Sequence, residues 1–340
     1  SDIPIQNIDR EHFMFLRNSW YVAAWDHEVG SGLVPVKVLG EAIVLYRKTD
    51  GVVAALEDAC PHRKLPLSMG RIKGDNVECG YHGLTFDCTG TCTRVPGVEK
   101  IPHVARVQSY PIKERYGLLW VWMGDADKAD PALIFEVEHW DDPAWGINRG
   151  ESMVIDCNYL LMTDNLLDPS HVAWVHQSSF GNAAAEEAPL ETTVGTDGVT
   201  VWRWMLDVEP APFYAPYLAF KGKCDRKQHY EVHYPAAAII KAIFCPSGTG
   251  GEGKPLHADT FLMDSYNFMT PVDENQTKYY WFQIRNFAPN DAEISAQFAK
   301  SVRGAFDEDR AVLTAVHQGL ANKRTPNLDL KIDVGPMRFR

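Results

Sequence analysis

The sequence predicts an α+β chain of two domains, an N-terminal antiparallel all-β domain and a C-terminal domain whose antiparallel sheet is flanked by helices. Three observations carry this reading. From about Trp20 to about Asp125, short β-type runs are punctuated by Gly, Asp, Asn and Pro. Beyond a polar connector, β-type runs recur together with two stretches of helical periodicity, near 158–176 and 291–321. The length of 340 residues, 45% of them hydrophobic and 23% charged, suits an ordinary globular protein with enough core for two domains.

In the first domain, expected over residues 1–125 with a polar N-terminal extension, the strand candidates are Ala42–Tyr46, Val52–Leu56, Leu84–Phe86 and Leu118–Met123. Asp50-Gly51 and Lys73-Gly-Asp-Asn76 supply turns between them. The connector runs from Asp125 to Asp142 and holds Asp130-Pro131 and Asp142-Pro143. The second domain, 126–340, offers strands at Thr200–Trp204, Tyr230–Tyr234, Thr260–Met263 and Tyr279–Phe282. No internal repeat or low-complexity segment interrupts this order.

A formal charge of −12 argues against a nucleic-acid partner, for which a basic face is expected. No apolar run approaches the ~20 residues of a membrane span. Ser1 to Arg10 is polar and acidic, without a secretory pattern. A cytoplasmic location is therefore expected.

Chemistry enters with two short runs, Cys60-Pro-His62-Arg63 and Cys79-Gly-Tyr-His82-Gly83. Cys60, His62, Cys79 and His82 supply two thiolates and two imidazoles, the ligand set of a Rieske 2Fe–2S centre. A Cys2His2 set also suits zinc, but zinc fingers usually pair two cysteines and then two histidines along the chain. Here each loop carries one of each, which lets two opposed loops divide their ligands between two irons. The glycines let backbone pass close by, and Val95-Pro96-Gly97 is expected to form a third, shielding loop. Both ligand pairs are expected at hairpin tips. Of seven cysteines, Cys88 and Cys92 could be further ligands or a disulfide, though free thiols in a hairpin are preferred.

A second metal site is suggested by Asp164-Asn165-Leu-Leu-Asp168-Pro-Ser-His171-Val-Ala-Trp-Val-His176. Two histidines and one carboxylate, with coordination positions left open, form the facial triad of non-haem iron(II) oxygenases. His171 and His176 are five apart, ~140° around a regular helix, so a shared site needs a helix end or a π-bulge. Pro169 makes such irregularity plausible. The alternative is two satisfied core histidines. For the carboxylate, Ile294, Phe298, Val302, Ala305, Leu313 and Val316 form an apolar stripe, and Asp309 falls inside it. A carboxylate there is costly unless paired with an arginine or bound to metal. Asp307 and Glu308 rotate away from that stripe and read as solvated charges.

From Asn18-Ser-Trp-Tyr-Val-Ala-Ala24 to its end, the chain resembles the Rieske non-haem iron aromatic ring-hydroxylating oxygenases. Within them it is similar to the demethylating monooxygenases typified by vanillate O-demethylase and dicamba monooxygenase. The motifs are the two Cys-His loops, Glu114-Arg-Tyr-Gly117, Asp164-Asn-Leu-Leu-Asp168, Arg285-Asn-Phe287, Glu308-Asp309 and Asn327-Leu-Asp-Leu-Lys-Ile-Asp333. The resemblance implies a START-like helix-grip catalytic domain, with His171, His176 and Asp309 on the mononuclear iron and Asn165 nearby. It implies a head-to-tail homotrimer in which Asp168 bridges the cluster ligand His82 of one chain and His171 of its neighbour. It also implies a separate NADH-dependent reductase carrying flavin and a 2Fe–2S cluster, and a terminal oxygenase acting on a substituted aromatic acid with O2.

O-demethylation is the reaction expected; ring dihydroxylation, methyl hydroxylation and N-demethylation are alternatives at the same iron. Alignment with the demethylases puts Asn267 and Lys300 at substrate-contacting positions. Lys221, Lys223 and Lys241 are further basic candidates, and aromatic residues from Trp202 to Tyr217 and Tyr266 to Phe268 could wall the pocket. Lys300 lies nine residues before Asp309, ~180° away on an unbroken helix, so both face the site only if the helix breaks, as at Gly304. A solvated surface lysine is the competing reading. Two other classes compete with an enzyme: an electron-transfer protein and a zinc-stabilised binding module.

Overall fold

The computed structural model describes residues 15–340 other than 182, 187 and 323, and the N-terminal extension lies outside them. The chain divides into two compact units, one ending at Ile134 and the other spanning Phe135–Arg340.

The first unit is all antiparallel. Strands β1 (Ser19–Trp25), β2 (Val34–Val38), β3 (Glu41–Arg47), β4 (Val53–Glu57), β5 (Arg71–Lys73), β6 (Asn76–Glu78), β7 (Thr85–Phe86), β8 (Cys92–Arg94), β9 (Ser109–Tyr110), β10 (Ile112–Arg115) and β11 (Leu118–Met123) form three sheets. Their orders are β1-β11-β10, β2-β3-β4-β9 and β5-β6-β7-β8. Every side chain of β11 is buried, which explains its unbroken apolar run Leu-Leu-Trp-Val-Trp-Met. Gly51 and Gly74 take positive φ in the turns between β3 and β4 and between β5 and β6, as their turn residues predict.

The second unit is built on an eight-stranded antiparallel sheet. Its strands are β12 (Gly146–Asn148), β13 (Ser152–Ile155), β14 (Glu191–Val194), β15 (Gly198–Val208), β16 (Cys224–His233), β17 (Ala237–Pro246), β18 (Phe261–Asp273) and β19 (Gln276–Arg285). The order is β12-β19-β18-β17-β16-β15-β14, with β13 also on β19. The helices are α1 (Tyr159–Leu166), α2 (Val172–Val175), α3 (Ala292–Asn322) and α4 (Val334–Phe339).

Local chemistry places these helices. Asn158 caps α1 by accepting from the Leu160 N–H at 3.0 Å. Asp291 accepts from the Ile294 N–H at 3.0 Å and starts α3. Buried Arg285, at the end of β19, donates through Nη2 to the Ala288 carbonyl and to Ser295 Oγ, both at 2.9 Å. That guanidinium ties the sheet to the first turn of α3 and so orients the whole helix.

Helix α3 is unbroken over 31 residues. Phe298, Val302, Ala305, Asp309 and Leu313 are its buried residues, while Val316, expected on the same stripe, is exposed. No helix among the described residues is long and apolar enough to cross a membrane.

Candidate metal centres

In the first unit, the two Cys-His loops repeat one backbone conformation. The Cys60 N–H donates to the Leu65 carbonyl at 2.9 Å and the Lys64 N–H returns to the Cys60 carbonyl at 2.8 Å. In the second loop the Cys79 N–H donates to Leu84 at 2.8 Å and the Gly83 N–H to Cys79 at 3.1 Å. Lys64 and Gly83, each four residues after its cysteine, both take positive φ. The second loop joins the hairpin strands β6 and β7. The first connects β4 to β5, which belong to different sheets, so only one pair sits at a hairpin tip. Both loops close through the same two hydrogen bonds, so the conformation does not need a flanking ladder. A Cβ on Gly83 would lie 3.0 Å from Pro96 Cγ, so the Val95-Pro96-Gly97 loop packs against the second ligand loop.

The donors suit a cluster with two unlike irons. Cys60 and Cys79 are buried, while His62 and His82 are exposed with their Nδ1 atoms 3.1 Å apart. Burial raises the Cys60 thiol pKa; the His62 N–H lowers it in part, and neighbouring Cys79 raises it again. Two adjacent buried thiolates are unfavourable alone and become stable when iron neutralises them. All seven cysteines are free thiols, Cys88 and Cys92 included.

In the second unit, His171, His176 and Asp309 bring their donor atoms within 4.8 Å of one another, a group that could hold a metal ion. The histidines flank the single helical turn of α2, His171 preceding it and His176 leaving the helix at φ −111° and ψ 36°. A helix end, not a π-bulge, thus lets residues five apart share a site. His171 Nε2 and His176 Nε2 lie 3.6 Å and 3.3 Å from Asp309 Oδ1. Asn165 Nδ2 donates to the same oxygen at 3.3 Å.

The other ring nitrogens are also held. His171 Nδ1 meets the Asp168 carbonyl at 2.5 Å, and His176 Nδ1 meets Glu308 Oε2 at 2.7 Å. Such partners turn Nε2 toward a metal and fix the tautomer. Glu308, expected to be a solvated charge, is 45% exposed yet holds His176. Its position next to Asp309 on α3 was the available signal. Burial alone would lower the His176 pKa, but the carboxylates of Asp309 and Glu308 raise it.

Asp168 accepts from the Ser170 N–H through Oδ1 at 2.7 Å and reaches His171 within this chain by its carbonyl. The triad opens on a cavity lined by Leu166, Phe180, Tyr214, Arg226, Ile240 and Phe306, among others.

Neither sequence-predicted substrate contact lines this cavity. Asn267 is fully buried in the sheet, accepting from Tyr279 Oη at 2.7 Å. Lys300 is exposed, because α3 runs straight through Gly304 and turns it away from Asp309. Lys223 pairs with Asp207 and Lys241 with Glu138, and Lys221 is exposed. Of the aromatic wall, Tyr214 alone is at the cavity; Trp202, Tyr266 and Phe268 are not. The basic side chain that does line it, Arg226, was missed. Its sole sequence signal is the β alternation that sets it on the same face as Tyr230.

Comparison with known proteins agrees with both centres. Residues 19–111 match the Rieske [2Fe-2S] domain and residues 155–340 the vanillate O-demethylase oxygenase C-terminal domain. The toluene-4-sulfonate monooxygenase system iron-sulfur subunit of Comamonas testosteroni is 40% identical over 308 residues, 89% of this chain and 88% of that protein. The vanillate O-demethylase oxygenase subunit of a Pseudomonas species is 36% identical over 335 residues, 96% and 93% of the two. A crystal structure of dicamba monooxygenase bound to 3,6-dichlorosalicylic acid matches with a TM-score of 0.88 at 30% identity, covering 96% of this chain and 95% of that one. This chain thus carries a Rieske [2Fe-2S] domain, and a second crystal structure of dicamba monooxygenase, 29% identical, holds non-haem iron, a metal that His171, His176 and Asp309 could hold here. The chain belongs to the Rieske non-haem iron oxygenases, as an oxygenase component of the vanillate O-demethylase type.

Proposed function

We propose that this oxygenase O-demethylates a substituted aromatic acid, a vanillate-like methoxybenzoate, in the cavity beside His171, His176 and Asp309. The observation that carries the reading is the triad itself, convergent, with His176 and Asp309 buried, and open to a largely apolar chamber. When bound, the mononuclear iron supplies O2 activation and the cluster supplies single electrons.

The chain's own residues do the rest. Cys60, Cys79, His62 and His82 hold the cluster, and His171, His176 and Asp309 hold the iron. Glu308 and the Asp168 carbonyl keep the imidazoles oriented, while Phe180, Ile240 and Phe306 exclude water and wall an aromatic ring. For a methoxy group, ArOCH3 + O2 + 2e− + 2H+ gives ArOCH2OH and water, and the hemiacetal then collapses to a phenol and formaldehyde.

Resemblance to the family supports a head-to-tail homotrimer, with the Asp168 carboxylate bridging His82 of one protomer and His171 of its partner. It supports a separate NADH-dependent flavin and 2Fe–2S reductase as the electron source. The five cysteines outside the cluster form no disulfide, which suits a cytoplasmic setting. A second reading, hydroxylation of an aryl methyl group, is favoured by the relative named a toluene-4-sulfonate monooxygenase subunit.

A panel of methoxylated, methylated and N-methyl aromatic acids, assayed with a surrogate reductase, separates these readings. Formaldehyde coupled to O2 uptake supports demethylation; a benzylic alcohol supports the second reading, and a cis-diol overturns both. Asp168→Asn should retain cluster and iron yet lose turnover by at least about 100-fold; wild-type rates in that variant would sink the bridge.

A further inference from the structure

Two arginines of adjacent strands are buried in the second unit, and their surroundings differ. Arg203 of β15 is 2% exposed and Arg226 of β16 is 3% exposed. Arg203 is fully engaged: Nε donates to Gln228 Oε1 at 2.7 Å, Nη2 to the Pro169 carbonyl at 2.9 Å and Nη1 to the Ala185 carbonyl. It ties the segment bearing His171 to the sheet. Arg226 makes one hydrogen bond, from Nη2 to the Phe180 carbonyl at 3.0 Å. Its Nε and Nη1 are buried and have no partner among the described residues.

The guanidinium of Arg226 lies 5.7 Å and 5.1 Å from the ring centroids of Tyr214 and Phe244. Those rings steady the cation but take no hydrogen bond from its edge. Nothing among the described residues explains a charged guanidinium, sealed from bulk water, with two of its three donor nitrogens idle. Its position does. Arg226 lines the same cavity as His171, His176 and Asp309. A carboxylate or sulfonate offers two or three oxygens, enough to accept from an idle nitrogen and from the second N–H of the Nη2 beside it, and such pairs are both strong and orienting.

We propose that Arg226 receives the oxyanion of the aromatic substrate, a ring carboxylate or sulfonate, and so directs the opposite end of the ring toward the triad. This rests on the cavity being the substrate chamber of the oxygenase. It assigns the recognition of charge to one side chain and makes the substrate an aromatic acid, not a neutral arene. The sequence-derived candidate for the same task, Lys300, is on the outer face of α3.

The test is equilibrium binding to the intact, iron- and cluster-loaded protein under anaerobic conditions, without reductase. The probes are 4-methoxybenzoate, 4-methoxybenzenesulfonate and neutral methyl 4-methoxybenzoate, followed by calorimetry. Wild type should bind at least one of the anions about tenfold or more tightly than the ester. Arg226→Met should lose about 10- to 100-fold of that anion's affinity while leaving the ester unchanged. Arg226→Lys should restore part of the loss.

The relative strength of the two anions identifies carboxylate or sulfonate. Equal binding of ester and anions by wild type overturns the assignment, even should Arg226→Met fail to fold. So does undiminished anion binding by a folded Arg226→Met that retains iron. Oxygen uptake with a reductase is scored separately. Absence of uptake with every aromatic strikes the oxygenation reading, whereas charge-independent binding strikes Arg226.

Discussion

Among the described residues of the second unit, two sets of two histidines and a carboxylate can be compared, and one of them resembles a metal site. In His171, His176 and Asp309, the residues come from a helix end and a distant helix, and their donor atoms converge. In His229, Glu231 and His233, the residues alternate along β16, on the face opposite Arg226 and Tyr230. There the carboxylate sits between the rings, with Oε1 2.6 Å from His229 Nε2 and Oε2 3.0 Å from His233 Nε2. Each oxygen is spent on a different imidazole, and His233 Nδ1 faces Asp197 at 3.1 Å. The same three side-chain types thus make an open coordination set in one place and a closed ion-pair cluster in the other. Convergence, not composition, separates the two.

The comparison breaks most sharply at Asp309. Asp309→Ala should empty the mononuclear iron site and lower turnover by more than about 100-fold, leaving Rieske absorbance unchanged. Iron quantification beside the visible spectrum reads both, and a variant that kept its mononuclear iron would remove the triad from consideration.

A smaller effect is expected at Glu308, which touches the triad without completing it. Glu308→Gln should preserve the fold but weaken iron binding about tenfold, because His176 loses an anionic partner. Competition against a chelator measures this, and unchanged affinity would return Glu308 to the surface charges.

The smallest effect belongs to the closed cluster and concerns stability alone. Burial would raise the Glu231 carboxyl, but hydrogen bonds from His229 and His233 hold it well below the ordinary carboxylate range. The His233 pKa is raised, by Glu231 first, against the opposing effect of burial and with help from Asp197. The depressed carboxyl stabilises the fold above its unfolded pKa of about 4.3, and that contribution is lost as pH falls. The raised imidazole stabilises below about 6.5, and its contribution is lost as pH rises through the folded value. Glu231→Gln should therefore destabilise most between about pH 4.5 and 6.5. Solvent screening keeps the loss near about 1 kcal/mol, a fall in Tm of about 2–4 °C. Iron content should not move; a drop in iron would mean that the two clusters are not the separate devices described.

Much of this was legible in the chain. Strand runs such as Leu118–Met123 announce themselves because burial on both faces demands continuous apolar sequence. Asp309 was legible because a carboxylate inside an apolar stripe needs a partner, and the structure buries it on α3 with Phe298, Val302 and Leu313. Glu308 and Arg226 were hidden for a shared reason. Each is an ordinary charged residue until the element it sits on is packed against another. Lys300 failed in reverse, since only an unbroken α3 decides which way a residue nine positions from Asp309 points.

By itself the sequence determined the donors: which thiols, imidazoles and carboxylate are available, and that two Cys-His loops and one histidine-rich helix end carry them. That much follows from residue chemistry and short-range spacing, which are local. The tertiary structure alone decided how the His–carboxylate donors converge, which arginine is left unpaired beside them, and which lysine is merely solvated. Those outcomes depend on strand pairing and helix packing between residues more than a hundred positions apart, as between Asn165 and Asp309, and no local pattern encodes them.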